Sequence, residues 1–293
     1  MQRRQFTGAL GAIIAGSGFS AYAQKSLGVD GAVTARLKAL ERESGGRLGV
    51  SILDTANGTR WGYRAGERFP MCSTFKLLAA ALILHRVDKG QEQLERKVIV
   101  KPTDIITHSP TTSQYVGTEG ITIAQLCEAT VTLSDNAAGN LLLESFGGPQ
   151  GLTAYTRSLG DTMTRLDRNE PTLNEATPGD KRDTTTPDAM VSNIQKIALG
   201  TALSEASRKQ MTQWLLDNKT GDTRLRALLP PGWRVGDKTG TGGRGSTNDV
   251  GILWPPGRAP VVVAAYLTGT SRPIAQREAV LAKVGELAAS LVI

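Results

Sequence analysis

The chain reads as an α/β protein of the α+β kind. One antiparallel sheet is built from both termini, helices flank it, and an all-α part is inserted between. Three observations lead there. Residues 48–53 and 59–63 near the start, and 233–239, 247–254 and 261–268 near the end, are short β-branched or aromatic runs bounded by Gly, Asn or Pro. Between them, apolar residues recur at helical spacing over several segments. With strands at the two ends and helices in the middle, the simplest packing is a single sheet with a helical insertion.

The elements follow in order. Residues 1–23 read as an export signal: Arg3-Arg4-Gln5-Phe6 is a twin-arginine pattern, a Gly-rich and weakly apolar stretch follows, and Ala21-Tyr22-Ala23 is a small-x-small cleavage site that puts the mature start at Gln24. The apolar stretch is shorter than the roughly 20 residues a membrane-spanning helix needs, and no cysteine beside it offers a lipid anchor. Residues 31–44 carry apolar groups at helical spacing with charges opposite, and Gly45-Gly46 stops that helix. Asn57-Gly58 joins the first two strands as a hairpin. Residues 73–88 are apolar almost all round, which predicts a buried central helix. Further helices occupy about 120–225, interrupted at 164–183, where Pro171, Pro178 and Gly179 predict a long ordered loop of the functional kind. A closing helix covers 274–290. The expected division is 1–23 as leader, 24–70 with 226–293 as a discontinuous α/β sandwich, and 71–225 as the all-α domain.

Composition narrows the function. With 293 residues, 40% hydrophobic and 21% charged, the chain can build a full core and is not disordered. The net charge is +7; removing Arg3 and Arg4 leaves 32 bases against 27 acids, a net +5. The bases are scattered among acids with no aromatic interleaving, so nucleic acid is excluded as a specific partner. A mild positive field suits an anionic small molecule. Only His85, His108, Cys72 and Cys127 offer soft metal ligands, and their spacing fits no zinc site, so neither metal nor cofactor is expected. His85 reads as a helix residue, and Trp61, Trp214, Trp233 and Trp254 read as packing groups.

Four short motifs carry the chemistry. They are Ser73-x-x-Lys76, Ser134-Asp135-Asn136, Glu170-x-x-x-Asn174 and Lys238-Thr239-Gly240. Together they supply a nucleophilic hydroxyl, two amines, a second hydroxyl and a carboxylate, the groups needed for acyl transfer through a serine ester. A lone Ser-x-x-Lys arises about once by chance in a chain of this length. The informative feature is all four in one order. Lys76 lies one helical turn after Ser73 on the same face, where it can act as a base.

This set resembles class A serine β-lactamases, from about residue 30 to the end. The resemblance implies an active site in the cleft between the sandwich and the all-α domain, and it implies roles. Ser73 is the nucleophile. The backbone N–H groups of Ser73 and Thr241 form the oxyanion hole. Ser134 protonates the lactam nitrogen, and Asn136 holds the substrate amide. Lys238, Thr239 and Thr241 meet the substrate carboxylate, with Gly240 keeping the strand edge open. Glu170 and Asn174 hold the deacylating water, and the acylation base is either Lys76 or Glu170. Thr247 stands where many relatives place a carboxylate-binding arginine, and Arg224 matches an alternative position. His108 matches an aromatic at the cleft mouth, Arg168 and Asp183 match a loop-bracing pair, and Asp135 shapes its turn. Two disulfides found in relatives lack partners, with Ala80 and Gly242 at the partner positions, so Cys72 and Cys127 are expected as free buried thiols. The implied protein is a periplasmic, monomeric hydrolase of penicillins and some cephalosporins, with no membrane in its mature form. Two alternatives remain at this point: a D-alanyl-D-alanine peptidase of the penicillin-binding kind, and a β-lactam-sensing domain. Glu170 with Asn174 argues against the first. The second would need membrane helices and a partner domain.

Overall fold

A computed structural model of the chain describes the backbone of residues 19–293 and the side chains of residues 31–293. Arg3 and Arg4 of the expected leader lie outside the described residues, as do the side chains of its expected cleavage site. Helix α1 runs Phe19–Ser44, starting earlier than the periodicity of 31–44 indicates, and Gly45 ends it with φ +65°. Strand β1 (Arg47–Asp54) and β2 (Arg60–Tyr63) form the hairpin around Asn57-Gly58, with Ile52 opposite Trp61. At the other end of the chain lie β7 (Arg234–Thr241), β8 (Thr247–Trp254), β9 (Val261–Thr268) and α8 (Ile274–Ser290).

These strands make one five-stranded antiparallel sheet in the order β2-β1-β9-β8-β7. The two ends of the chain meet at its centre, where β1 pairs with β9 along its whole length from Arg47 to Asp54. Alternation decides what each face buries. Leu48, Val50, Ile52, Val261, Val263 and Leu267 face Val33, Leu37, Leu281 and Val284 of α1 and α8 in one apolar cluster. Val250, Ile252, Val262, Ala264 and Tyr266 face the other way, into a cluster shared with the helical part.

That part is organised around α2 (Phe75–Asp88). Its residues from Phe75 to Leu84 are all buried, as a sequence apolar on every side requires. Leu77, Leu78, Ile83 and Leu84 are 1% exposed or less, and each such side chain contributes roughly 1.5–3 kcal/mol of burial free energy. Around it pack α3 (Ile123–Thr132), α4 (Asn136–Ser145), α5 (Gly148–Ser158) and α7 (Glu205–Leu216), whereas α6 (Pro187–Ile194) lies on β1, β8 and β9. Side-chain caps start four of these helices: Thr122 on Gln125 N–H, Asp135 on Ala138 N–H, Thr186 on Ala189 N–H and Ser204 on Ser207 N–H. Four two-residue strands escape any periodicity argument because they are too short to show one: β3 (Phe69–Pro70) pairs with β6 (Thr184–Thr185), and β4 (Lys97–Val98) with β5 (Ile121–Thr122). Residues 164–183 form the expected loop, with one 3-10 turn at Thr172–Asn174. Among the described residues no helix is long and apolar enough to cross a membrane, and no His/Cys/Asp/Glu cluster could hold a metal.

Asp237 on β7 and Asp249 on β8 are diagonal neighbours, both 0% exposed. Asp237 accepts from Asn218 at 2.8 Å and from Arg226, and Asp249 accepts from Leu225 N–H at 3.1 Å. One oxygen of each, Asp237 Oδ2 and Asp249 Oδ1, has no partner. Burial and the Asp237 charge push the Asp249 carboxyl well above its ordinary 3.8, so it keeps a proton that the unfolded chain releases. Stability is therefore lost as pH rises above that ordinary value. Asp249→Asn supplies a permanent donor to Asp237. It is expected to raise thermal stability at neutral pH, with the gain shrinking toward pH 3.8. A gain that stays constant across a calorimetric pH series, or a loss at neutral pH, contradicts the account of a protonated Asp249.

Candidate active site

The nucleophile candidate sits where strain and a helix start coincide. Cys72 adopts φ +45° in the 3-10 turn Cys72–Thr74, and Ser73 follows it at the entrance to α2. Edge strand β7 runs alongside. A Cβ on Gly240 would come within 2.8 Å of Met71 O and 3.2 Å of Ser73 N, so only glycine lets β7 pack this close to the serine. That contact, more than an opening for ligand, is what Gly240 provides. Lys76 follows one turn later, its side chain 0% exposed.

Lys76 Nζ is the hub. It donates to Ser73 Oγ at 3.1 Å, Ser134 O at 2.8 Å, Ser134 Oγ at 3.4 Å and Asn136 Oδ1 at 2.6 Å, and it lies 3.0 Å from Glu170 Oε1. Ser73 Oγ donates to the same Glu170 oxygen at 3.2 Å. Burial strips the ammonium of its water and lowers the Lys76 pKa, while the Glu170 carboxylate pulls in the opposite direction. Asn174 Nδ2 donates to Glu170 Oε2 at 2.5 Å. The nucleophile, both candidate bases and the second hydroxyl therefore lie within one hydrogen-bond network.

Ser134 owes its aim to the backbone. It adopts φ +59°, and the next residue, Asp135, caps α4 while accepting from Thr111 N–H at 2.9 Å and Thr112 N–H at 3.0 Å. The tripeptide is thus a helix start and a site segment at once. Lys238 Nζ approaches from the sheet side and donates to Ser134 Oγ at 3.1 Å and Thr239 O at 3.0 Å. Ser73, Ser134, Asn136, Asn174, Thr239, Gly240, Thr241, Arg224 and His108 all line one cleft of about 300 Å³. His108 is held there with φ +62°, its ring nitrogen 2.9 Å from Leu133 O and its carbonyl accepting from Asn136 N–H at 2.9 Å. Arg224 is 5% exposed and lies behind Thr241, to which it donates at 2.8 Å.

The loop bearing Glu170 is clamped from three sides. Arg168 Nε donates to Asp183 Oδ2 at 2.6 Å, and Gly243 N–H donates to Asn174 O at 2.8 Å. Asn140 brackets Glu170, accepting from its N–H at 2.9 Å and donating to its carbonyl at 3.0 Å. The sequence reading overlooked Asn140, although its place one helical turn after Asn136 on α4 is a usable signal. It also overlooked Thr220, 2.5 Å from Thr239 Oγ1, and Glu278, which pairs with Arg224 at 3.2 Å; neither carries a local signal. Cys72 and Cys127 are free and buried, and burial pushes the Cys72 thiol up to about 12. His85 and the tryptophans stay outside the network: His85 lies 3.4 Å from Ala202 O, Trp61 and Trp214 are core, and Trp233 and Trp254 pack on its margin.

Fold and site together define an enzyme that works through an activated serine. Residues 32–292 match the family described as "Beta-lactamase enzyme family". The chain is 47% identical to Beta-lactamase L2 of Stenotrophomonas maltophilia over 90% of this chain and 88% of that relative. It is 46% identical to Beta-lactamase CTX-M-8 of Citrobacter amalonaticus over 87% of each. Among solved structures, the ancestral (GNCA) class A β-lactamase superposes with a TM-score of 0.87 at 58% identity, covering 88% of this chain and 99% of that one. The putative class A β-lactamase PenP from Rhodopseudomonas palustris gives 0.88 at 57%, covering 89% and 100%. The chain belongs to the β-lactamase enzyme family, as a serine hydrolase of class A.

Burial, and then the nearby charge of Lys76, push the Lys238 ammonium down to about 7. NMR of labelled lysine side chains is expected to find the resonance that Lys238→Arg removes titrating at about 7. A Lys238 that titrates at the ordinary value of about 10.4 would show that its cavity is wetter than described.

Proposed function

We propose that this chain hydrolyses the β-lactam amide of penicillins, and of some cephalosporins, through an acyl-Ser73 intermediate. The observation that carries the reading is the placement of Glu170 beside both Ser73 Oγ and Lys76 Nζ, at 3.2 and 3.0 Å, with Asn174 on its other oxygen. A carboxylate held there can activate a water against a serine ester, which separates a hydrolase from an enzyme that only becomes acylated.

The steps follow from reach. Ser73 Oγ attacks the lactam carbonyl carbon, and the oxyanion faces the backbone N–H groups of Ser73 and Thr241. With Lys76 protonated, the serine proton points to Glu170; with Lys76 neutral, its amine is the nearer acceptor at 3.1 Å. The C–N bond breaks, and Ser134 delivers a proton to the ring nitrogen, replenished from Lys76 or Lys238, both of which donate to its Oγ. Glu170 then takes a proton from water held with Asn174, the water adds to the ester, and Ser73 leaves with a proton returned by the same network. Asn136 presents its side chain to the substrate amide, Lys238, Thr239 and Thr241 face the substrate carboxylate, and His108 forms the cleft mouth. The division into a sandwich of 24–70 with 226–293 and a helical domain of 71–225, with the cleft between, is supported by the sheet drawing strands from both ends of the chain. The twin-arginine pattern at Arg3-Arg4 supports export to the periplasm, where such a hydrolase, acting as a monomer, confers resistance on its cell.

Intact-protein mass spectrometry with excess benzylpenicillin tests the reading. Many ring-opened products per enzyme with no lasting adduct are expected; a stable one-to-one adduct without turnover would instead identify a peptidase or sensor. Glu170→Ala is expected to slow acylation, trap the acyl-enzyme and cut kcat by roughly a thousandfold or more, the scale of a lost general base. Unchanged turnover in that variant rules out the role. Ser73→Ala is expected to form no adduct at all, and any adduct that remains points to another nucleophile.

A further inference from the structure

The turn that carries Ser73 rests on one cross-strand row of the sheet. Gly240 on β7, Asn248 on β8 and Tyr266 on β9 are register partners, so the three positions share a face. Each touches the turn in its own way. Gly240 makes the close approach to Met71 O and Ser73 N that a Cβ would forbid. Asn248, 1% exposed, donates from Nδ2 to Pro70 O at 2.9 Å and to Met71 O at 3.1 Å. Tyr266, fully buried, brings its hydroxyl to 3.2 Å from Thr74 Oγ1, which itself donates to Met71 O at 2.8 Å. With the Thr74 proton used in that way, Tyr266 is the donor of its pair.

The row converges on Met71 O, which accepts from Asn248 Nδ2, Thr74 Oγ1 and, at 3.2 Å, Thr74 N–H. The next residue, Cys72, is held at φ +45°, a conformation that costs roughly 1–3 kcal/mol and persists only where the surroundings over-determine it. Thr74 belongs to the turn and moves with it. Asn248 belongs to the sheet. Among the described residues it is the one side chain of the five-stranded sheet that bonds the carbonyl of Pro70 or Met71. The two oxyanion donors named above come from different elements: Ser73 N–H from this turn, and Thr241 N–H from β7, one residue after Gly240. Their separation is therefore set by how the turn seats on the row, and an oxyanion hole needs both donors at about 2.7–3.1 Å from the developing charge.

We propose that Asn248 is a positioning residue for the oxyanion hole: its side-chain amide pins the Pro70 and Met71 carbonyls to β8, and so fixes the Ser73 N–H at its working distance from the Thr241 N–H. This rests on the acyl-Ser73 reading above. Asn248 touches neither Ser73 nor the cleft, and acts through two main-chain carbonyls. Its own carbonyl, which accepts from Arg224 at 2.8 Å, stays in place when the side chain is replaced.

Two measurements on Asn248→Ala test this. Stopped-flow kinetics with benzylpenicillin are expected to show acylation and deacylation slowed together, each roughly ten- to a hundredfold, because both steps pass through a tetrahedral oxyanion. Infrared difference spectra of the acyl-enzyme, trapped in a Glu170→Ala background, are expected to show the ester carbonyl band moved to higher frequency than with Asn248 present, as its hydrogen bonds from the hole lengthen. A brace that served stability alone would lower the melting temperature and leave that band where it was. An unmoved band, or a loss confined to deacylation, overturns the proposal. Asn248→Leu keeps the shape of the side chain without its donors and takes the place of Asn248→Ala if that variant does not fold. Failure of both to fold makes Asn248 a folding determinant and overturns the proposal too. Absence of benzylpenicillin turnover by the native chain overturns the functional reading itself, whereas native turnover with an unmoved band overturns this inference alone.

Discussion

A buried ammonium organises this protein. The Lys76 side chain is 0% exposed, and removing a cation from water costs several kcal/mol unless its donors are all taken up. Its partners come from its own turn and two distant segments: Ser73 one turn before it, Ser134 and Asn136 at the start of α4, and Glu170 on the loop before α6. Burying Lys76 therefore requires α2, α4 and the loop to be assembled at the same place. The same requirement brings nucleophile, proton carriers and carboxylate together, so the site and the fold of the helical part have one common cause.

The loop shows how much structure serves to hold a single carboxylate. Asn140 grips both main-chain groups of Glu170, and Arg168 with Asp183 braces the stem. From the sheet side, the turn after β7 takes the carbonyl of Asn174 at 2.8 Å. Each anchor belongs to a different element. A shift of the sheet edge would therefore be felt at the water-activating group, and side chains remote from the reacting atoms can alter deacylation through the backbone.

The sheet was largely legible in the sequence because its strands are long enough to show alternation: the spans of β8, β9 and α8 agree with the pattern at both ends. The two-residue strands were not legible, since no period can be read over two positions, and the start of α1 lies upstream of the residues whose spacing indicated it. In the site, the four motifs meet in one network, and Asp135 combines its turn with a helix cap. Thr220 and Glu278 escaped because each matters only through a partner far away in sequence; Glu278 lies 54 positions from Arg224.

The amino-acid order by itself determined which reactive groups exist, that Lys76 follows Ser73 by one turn, and that a carboxylate and an amide four residues apart sit on a loop. These are local facts, set by helical pitch and residue chemistry. The tertiary structure decided the rest. It took Lys76 and Lys238 out of water and so moved their proton affinities, and it pressed Gly240 against the Ser73 turn. It also gave every donor of Arg224 a partner. Proton affinity and donor availability depend on what surrounds a side chain in space, and those surroundings exist only once the distant segments have packed.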